Sequence, residues 1–280
     1  MNIKSTLSYG TEILNNFNIN NSILDSELLL AKAIKKDRQY VILNSKENIG
    51  KSSLKIFDNL IKRRRKGEPV AYLINKKEFW NETFYIDQNV LIPRPDTETV
   101  VEQLLKISSK RSKLQVLDIG VGSGCILLSL LKERPDFYGT GIDICKNSIN
   151  ISKFNAKMLH LKNRIRFFNS SVDNFNLGKY DIVVSNPPYI EFLKLKYLDS
   201  DVYNFEPKLA LNGGLDGFLI IKKVIEKTSI LIKKKGKFVL EIGFNQKKKA
   251  KELLKKNGFY INEISKDYGK NYRCIVSTKI

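Results

Sequence analysis

Histidine is almost absent: His160 is the only one in 280 residues, and there are only three cysteines, Cys125, Cys145 and Cys274. The cysteines lie far apart and form no CxxC pair, so zinc sites built from Cys and His are excluded and no metal is expected. The three read as free thiols in a reducing compartment. His160 follows a helix-like segment and reads as a surface residue rather than a catalyst. No run approaches the ~20 apolar residues of a membrane-spanning helix, and Met1-Asn2-Ile3-Lys4 leads into no apolar leader. These absences predict a soluble cytoplasmic protein with no membrane contact. No repeat or low-complexity tract is present, and hydrophobic residues make up 42%. A core can therefore form without disulfide or metal, in one large domain or in a large and a small one.

Acidic residues are also scarce. Asp and Glu number 29 against 49 Lys and Arg, a net charge of +20. An acidic partner such as RNA or a ribosomal complex would explain this. So would compositional drift, because Lys, Asn and Ile are abundant along the whole chain. The lysine runs at 233–235 and 247–249 fall at expected turns and helix starts, with no aromatic interleaving. Charge alone does not identify the substrate.

Residues 1–73 read as a helical domain. Leu28, Leu29, Leu30, Ala31 and Ile34 recur at helical spacing, and Ser52-Ser53 can cap a helix carrying Leu54, Ile56, Phe57, Leu60 and Ile61. That helix ends in Lys62-Arg63-Arg64-Arg65-Lys66, where cations oppose its dipole, and Gly67 stops it. Over 74–92, Phe79-Trp80 and Phe84-Tyr85-Ile86 flank Asn81-Glu82 and predict a β-hairpin linker. From 93 to 280 strands and helices alternate. Strands are expected at 114–119, 137–142, 165–168, 180–185, 237–242, 259–264 and 273–277. Helices are expected at 123–133, 146–159, 217–233 and 246–257. This is the pattern of an α/β domain with a mostly parallel sheet.

Two segments carry the chemistry. Gly120-Val121-Gly122-Ser123-Gly124 follows a strand and opens a helix, so backbone can approach a ligand closely there. Asp143 ends the next strand, where a carboxylate can accept from both hydroxyls of a ribose. The spacing is GxGxG. The dinucleotide pattern GxGxxG fails because Cys125 occupies its third glycine position. A ligand without a pyrophosphate is favoured over a tight turn that binds nothing.

The second segment, Asn186-Pro187-Pro188-Tyr189, ends the strand Tyr180–Ser185. The prolines stiffen the loop and fix where Asn186 and Tyr189 point. An amide nitrogen is a poor nucleophile because its lone pair is delocalised. The Asn186 side-chain oxygen can accept one N–H of such a group, and the Pro187 carbonyl the other. Tyr189 can lie against the flat amide. Positioning and electrostatics would then dominate, with no strong general base. The alternative is a double-proline turn with a packed tyrosine.

Nearly end to end, the chain resembles the HemK family of release factor glutamine N5-methyltransferases. The matching pieces are Arg63-Arg64-Arg65-Lys66-Gly67-Glu68-Pro69-Val70-Ala71-Tyr72-Leu73, Glu78-Phe79-Trp80 and Leu91-Ile92-Pro93-Arg94-Pro95-Asp96-Thr97-Glu98. The glycine loop, Val184–Ile190, Phe205-Glu206-Pro207, Leu209-Ala210-Leu211, Gly213-Gly214 and Asp216-Gly217 complete the set. Asn-Pro-Pro-Tyr alone also occurs in DNA adenine and ribosomal RNA guanine methyltransferases; the Arg94–Glu98 and Glu206-Pro207 segments are more restrictive. The resemblance implies an N-terminal helical bundle that binds the release factor, and a seven-stranded Rossmann-like methyltransferase domain with strand order 3-2-1-4-5-7-6. It also implies S-adenosylmethionine as cofactor, held by Gly120, Val121, Gly122, Ser123, Gly124, Asp143 and Asn186. The substrate it implies is the glutamine of the Gly-Gly-Gln motif of peptide chain release factors. Two departures stand out. Val121 replaces the family's usual Thr. Where an Asp and a large apolar residue usually meet the adenine, this chain has Asn169-Ser170-Ser171-Val172-Asp173, and Ser171 takes the position. Glutamine methylation of a ribosomal protein is the closest competing activity. Nucleic-acid base methylation is less favoured, since no target-recognition insertion is visible. A monomer is expected.

Overall fold

Why the first residues of the chain form helices is clear from their caps. In the computed structural model, which describes residues 1–280, α1 (Ile3–Asn16) starts where the Asn2 side chain accepts from the Ser5 amide at 2.9 Å. α3 (Arg38–Leu43) starts where Asp37 accepts from Tyr40 at 2.7 Å, the usual role of an N-cap side chain. Between them lies α2 (Ser22–Ile34), and α4 (Lys51–Arg64) and α5 (Val70–Ile74) follow. The cap of α4 is Gly50, so Ser52 and Ser53 sit inside its first turn instead of capping it. Leu14, Leu29, Leu30, Val41, Phe57, Ile61 and Leu73 form one buried cluster. Gly10 has no room for a side chain there: a Cβ would lie 2.5 Å from Phe57. The basic run is partly committed within this unit. Arg64 pairs with buried Asp25 at 2.6 Å, and Arg63 pairs with Glu68. Met1–Lys76 form this unit together with Asp199–Phe205, a distant segment that the sequence did not attach to it.

The second unit comprises Lys77–Leu198 and Glu206–Ile280. It contains the hairpin β1 (Lys77–Phe79) and β2 (Glu82–Phe84), so the segment read as an interdomain linker packs with the larger unit. Trp80, read as strand, is in the turn, with φ of 56°. The remaining elements in chain order are α6 (Glu98–Ser108), β3 (Gln115–Ile119), α7 (Cys125–Glu133), β4 (Tyr138–Asp143), α8 (Lys146–Met158), β5 (Ile165–Asn169) and β6 (Tyr180–Ser185). They continue with α9 (Ser200–Phe205, part of the first unit), α10 (Lys208–Leu211), α11 (Leu219–Leu231), β7 (Ile232–Glu241), α12 (Lys247–Lys256), β8 (Phe259–Lys266) and β9 (Tyr272–Lys279). The lysine run 233–235 lies in the irregular start of β7, where Lys235 has φ of 62° and the register against β6 shifts.

The sheet order is β5-β4-β3-β6-β7-β9-β8. β5, β4, β3, β6 and β7 pair in parallel, and β9, antiparallel to both β7 and β8, is the one reversed strand. That is the expected 3-2-1-4-5-7-6. α11 and α12 bury Ile221, Val224, Ile225 and Leu254 in one cluster with Leu117, Ile119, Val183 and Leu240. Side chains alternate along a strand, so Asp118 and Glu241 belong to the opposite face. Register sets the site: Ile119 pairs with Ile142 and with Ser185, and Ser185 pairs with Leu240. The carboxyl ends of β3, β4, β6 and β7 are level. The strand order reverses between β3 and β6, which is where open α/β sheets bind ligands.

Candidate active site

The three glycines after β3 do different jobs. Gly120, Gly122 and Gly124 have φ of 79°, 55° and 85°, which side chains rarely tolerate. A Cβ on Gly120 would meet nothing within 4 Å, and one on Gly122 only the Gly120 carbonyl at 4.0 Å. A Cβ on Gly124 would lie 2.8 Å from Leu128. The first two therefore leave open space over the loop, and the third lets α7 pack. Val121 and Ser123 are buried, which leaves backbone as what they can present. Asp143 spans the loop: its Oδ2 accepts from Gly122 N–H at 3.0 Å and its Oδ1 from Cys145 N–H at 2.8 Å. A carboxylate has about four acceptor positions, so two remain for hydroxyl donors. Burial raises the Asp143 pKa, and these two amides oppose the rise.

Asp118, on β3 just before the loop, is 1% exposed, and neither oxygen has a hydrogen-bond partner. Burial, then the nearby Asp143 charge, pushes its pKa from 3.8 up to about 8. The folded chain thus keeps a proton that the unfolded chain has lost. Stability from this source is complete near pH 4 and is lost as the pH rises toward 8. Asp118→Asn should match wild type in melting temperature near pH 4 and exceed it by several degrees near pH 8. The underlying gap is on the order of 1.4 kcal/mol per pKa unit. Thermal melts of the two proteins across that range test it; a difference that stays constant with pH would refute the assignment.

The stretch after β5 is occupied locally. Asn169 Nδ2 donates to the carbonyls of Asp143 and Ile144 at 3.0 and 2.9 Å. Half-buried Ser171 accepts from the Asn174 amide at 3.3 Å. Asp173 is exposed and paired with Lys223 of α11, and Val172 packs against the core.

Asn186 extends β6 and is half-buried. Its Nδ2 points to the Thr97 hydroxyl at 3.4 Å, so its Oδ1 is the atom left to accept from a ligand. Tyr189 is held at both ends. Its hydroxyl donates to Glu241 Oε1 and accepts from Arg273 Nη1, both at 3.3 Å. Its carbonyl accepts from Gln246 Nε2 at 3.0 Å. Burial and Glu241 raise its pKa. Sequence reasoning used only the flat face of this ring and missed the hydroxyl. Arg273 is anchored in turn by Asp267 at 2.9 Å and Asp96 at 3.1 Å.

These contacts explain residues 94–98. Arg94 pairs with buried Glu206, whose other oxygen accepts from the Ile92 amide. Asp96 holds Arg273, Thr97 meets Asn186, and Glu98 accepts from the Trp80 amide at 2.8 Å. Glu241 and Arg273 are functional candidates the sequence did not reveal. The only local signal for Glu241 was a carboxylate ending an otherwise apolar strand, Phe238–Ile242.

Known proteins give a consistent picture. The PrmC N-terminal domain profile matches residues 5–74 and the methyltransferase small domain profile matches 95–200. A release factor glutamine methyltransferase of Buchnera aphidicola subsp. Baizongia pistaciae is 37% identical, with all of both chains aligned. A bifunctional methyltransferase of Rickettsia felis is 33% identical over 99% of this chain, which spans only 58% of that protein's length. Among solved structures, a Pyrococcus furiosus methyltransferase shares the fold, with a TM-score of 0.55 at 18% identity, over 79% of this chain and 98% of that one.

Proposed function

The chain belongs to the release factor glutamine methyltransferase family, and from that premise we propose that it methylates the side-chain N5 of the glutamine in the Gly-Gly-Gln motif of peptide chain release factors. S-adenosylmethionine fits the residues present. Open space over Gly120 and Gly122 admits a ligand against backbone, and Asp143 keeps acceptor capacity for ribose hydroxyls. Ser171, by its position after β5, is the candidate for the adenine. When bound, the cofactor supplies an electrophilic methyl on a sulfonium.

The protein's part is to hold the amide. Asn186 Oδ1 accepts one N–H and the Pro187 carbonyl the other, while Pro188 stiffens the turn and Tyr189 flanks the amide plane. With both hydrogens held, the nitrogen presents its face rather than its edge, and little is left to solvent reorganisation. The observation that carries this reading is the Asn186 amide, turned so that its nitrogen meets Thr97 and its oxygen is left free. The helical residues 1–73 bind the release factor away from the glutamine and supply specificity. The reaction takes place in the cytoplasm and the enzyme acts as a monomer. No helix of the chain is long and apolar enough to cross a membrane.

The deciding assay offers purified protein and labelled S-adenosylmethionine a choice of release factor, ribosomal protein, RNA or DNA. Label should enter the release factor, and replacing its Gly-Gly-Gln glutamine should abolish incorporation. Label in the ribosomal protein or a nucleic acid, with none in the release factor, would overturn the reading.

A further inference from the structure

Glu241 is a buried acid that the proposed reaction does not use. It is 2% exposed and stands at the end of β7, level with Asn186, because Ser185 pairs with Leu240. Its Oε1 accepts from the Tyr189 hydroxyl. The Thr97 hydroxyl faces the same carboxylate and favours its ionised form, without closing a hydrogen bond to Oε2, which has no partner. Thr97 is itself 3% exposed and meets the Asn186 amide nitrogen. One carboxylate therefore stands behind both groups assigned to the substrate amide. Resting on the function proposed above, we infer that Glu241 is a positioning residue: through Thr97 and Tyr189 it fixes which end of the Asn186 amide faces the substrate and how the tyrosine ring lies.

The logic is donor counting. An ionised carboxylate only accepts. Tyr189 then directs its hydroxyl hydrogen at Oε1, and the partnerless Oε2 is the acceptor that draws the Thr97 hydrogen. That leaves Thr97 only lone pairs to offer Asn186, so Asn186 turns its NH2 toward Thr97 and its oxygen toward the substrate. Tyr189, donating to Glu241, is free to accept from Arg273, as it does. A neutral group at 241 breaks this order. Once position 241 donates a hydrogen to Thr97, the Thr97 hydrogen can turn to Asn186 Oδ1. The Asn186 amide then rotates and presents NH2 to a substrate that is itself an NH2 donor.

Protonated Glu241 would act the same way, so the order is sensitive to pH. The groups around it pull in both directions. Burial raises its pKa to about 7; Arg273 on β9 and the Tyr189 and Thr97 hydroxyls favour ionisation, and Asp96 opposes it. The thiols of Cys274 on β9 and Cys125 at the start of α7 feel its charge, which contributes to raising their own pKa values. Methyl transfer should therefore fall as the pH drops and Glu241 takes up its proton.

The test compares wild type, Glu241→Gln, Thr97→Val and the double variant in single-turnover methylation with saturating S-adenosylmethionine and release factor, from pH 6 to 9. Each single variant should slow transfer about 10- to 100-fold, the scale of a small misplacement at a reacting centre. The double variant should be no slower than the worse single one. Glu241→Gln should lose the acid limb that wild type shows, while S-adenosylmethionine affinity by calorimetry stays within about twofold. A Gln variant with near wild-type rate, an unchanged acid limb, or single losses that multiply would each overturn the role of Glu241. The wild-type lanes report separately on the function itself. If wild type labels another acceptor, the same four-way comparison runs on that acceptor and still decides the inference.

Discussion

Asn186→Ala should slow methyl transfer on the order of 100–1000-fold, the cost of removing a preorganised hydrogen-bonding group from a reacting centre. The loss should fall on the transfer step. Asn186 anchors its nitrogen at Thr97, which leaves its oxygen to accept, so alanine leaves one N–H of the substrate amide unpaired in a desolvated site and the lone pair unaimed. Asn186→Asp keeps an acceptor, but it places a charge beside the sulfonium, which favours the ground state, and it loses the donor to Thr97. The measurement is single-turnover methylation at saturating S-adenosylmethionine, with cofactor affinity measured alongside. An alanine variant that transfers methyl at near wild-type rate would refute the proposed chemistry, whatever the family.

How far the site could be read from sequence depended on the distance between partners. The glycine loop and Asp143 were legible because a turn, a close approach and a strand end all lie within one βαβ unit. Asn186–Tyr189 was legible because two prolines after an apolar strand permit few alternatives. The groups that hold these residues were not. Thr97 meets Asn186 across 89 positions, Arg94 meets Glu206 across 112, and Asp96 meets Arg273 across 177. No local period or spacing encodes such pairs. Glu241 ends a strand whose apolar residues announce a core, and only the level strand ends show that it stands behind Asn186. Asp199–Phe205 was missed for the same reason, since its packing with the first unit is non-local. The Ser52-Ser53 cap failed differently: Gly50 could cap the same helix, and local propensity did not separate the two choices.

Gly217→Ala should be nearly as damaging as loss of Asn186, through backbone alone. Gly217 has φ of 72°, and a Cβ there would lie 2.5 Å from the Tyr189 carbonyl oxygen and 2.8 Å from Gln246 Nε2. Those two atoms are hydrogen-bonded to each other at 3.0 Å, and Gln246 Nε2 also donates to the Gly217 carbonyl. The intruding methyl thus pushes on both ends of the bond that fixes the Tyr189 backbone. Gly213 approaches the same turn closely: a Cβ there would lie 2.8 Å from the Tyr189 Cα. The carbonyl must retreat by most of an ångström, taking the Pro187–Tyr189 turn with it. A shift of about 1 Å at a reacting centre can cost about 100-fold in rate. Left-handed strain adds on the order of 1–2 kcal/mol of destabilisation. Gly178→Ala separates the two effects: Gly178 has φ of 81°, but the three atoms nearest its Cβ would all belong to the Tyr180 side chain, the first at 3.1 Å. Both variants should melt lower than wild type, and only Gly217→Ala should lose methyl transfer. Equal activity in the two, at matched occupancy by S-adenosylmethionine, would mean that Gly217 merely relieves backbone strain and does not place the catalytic turn.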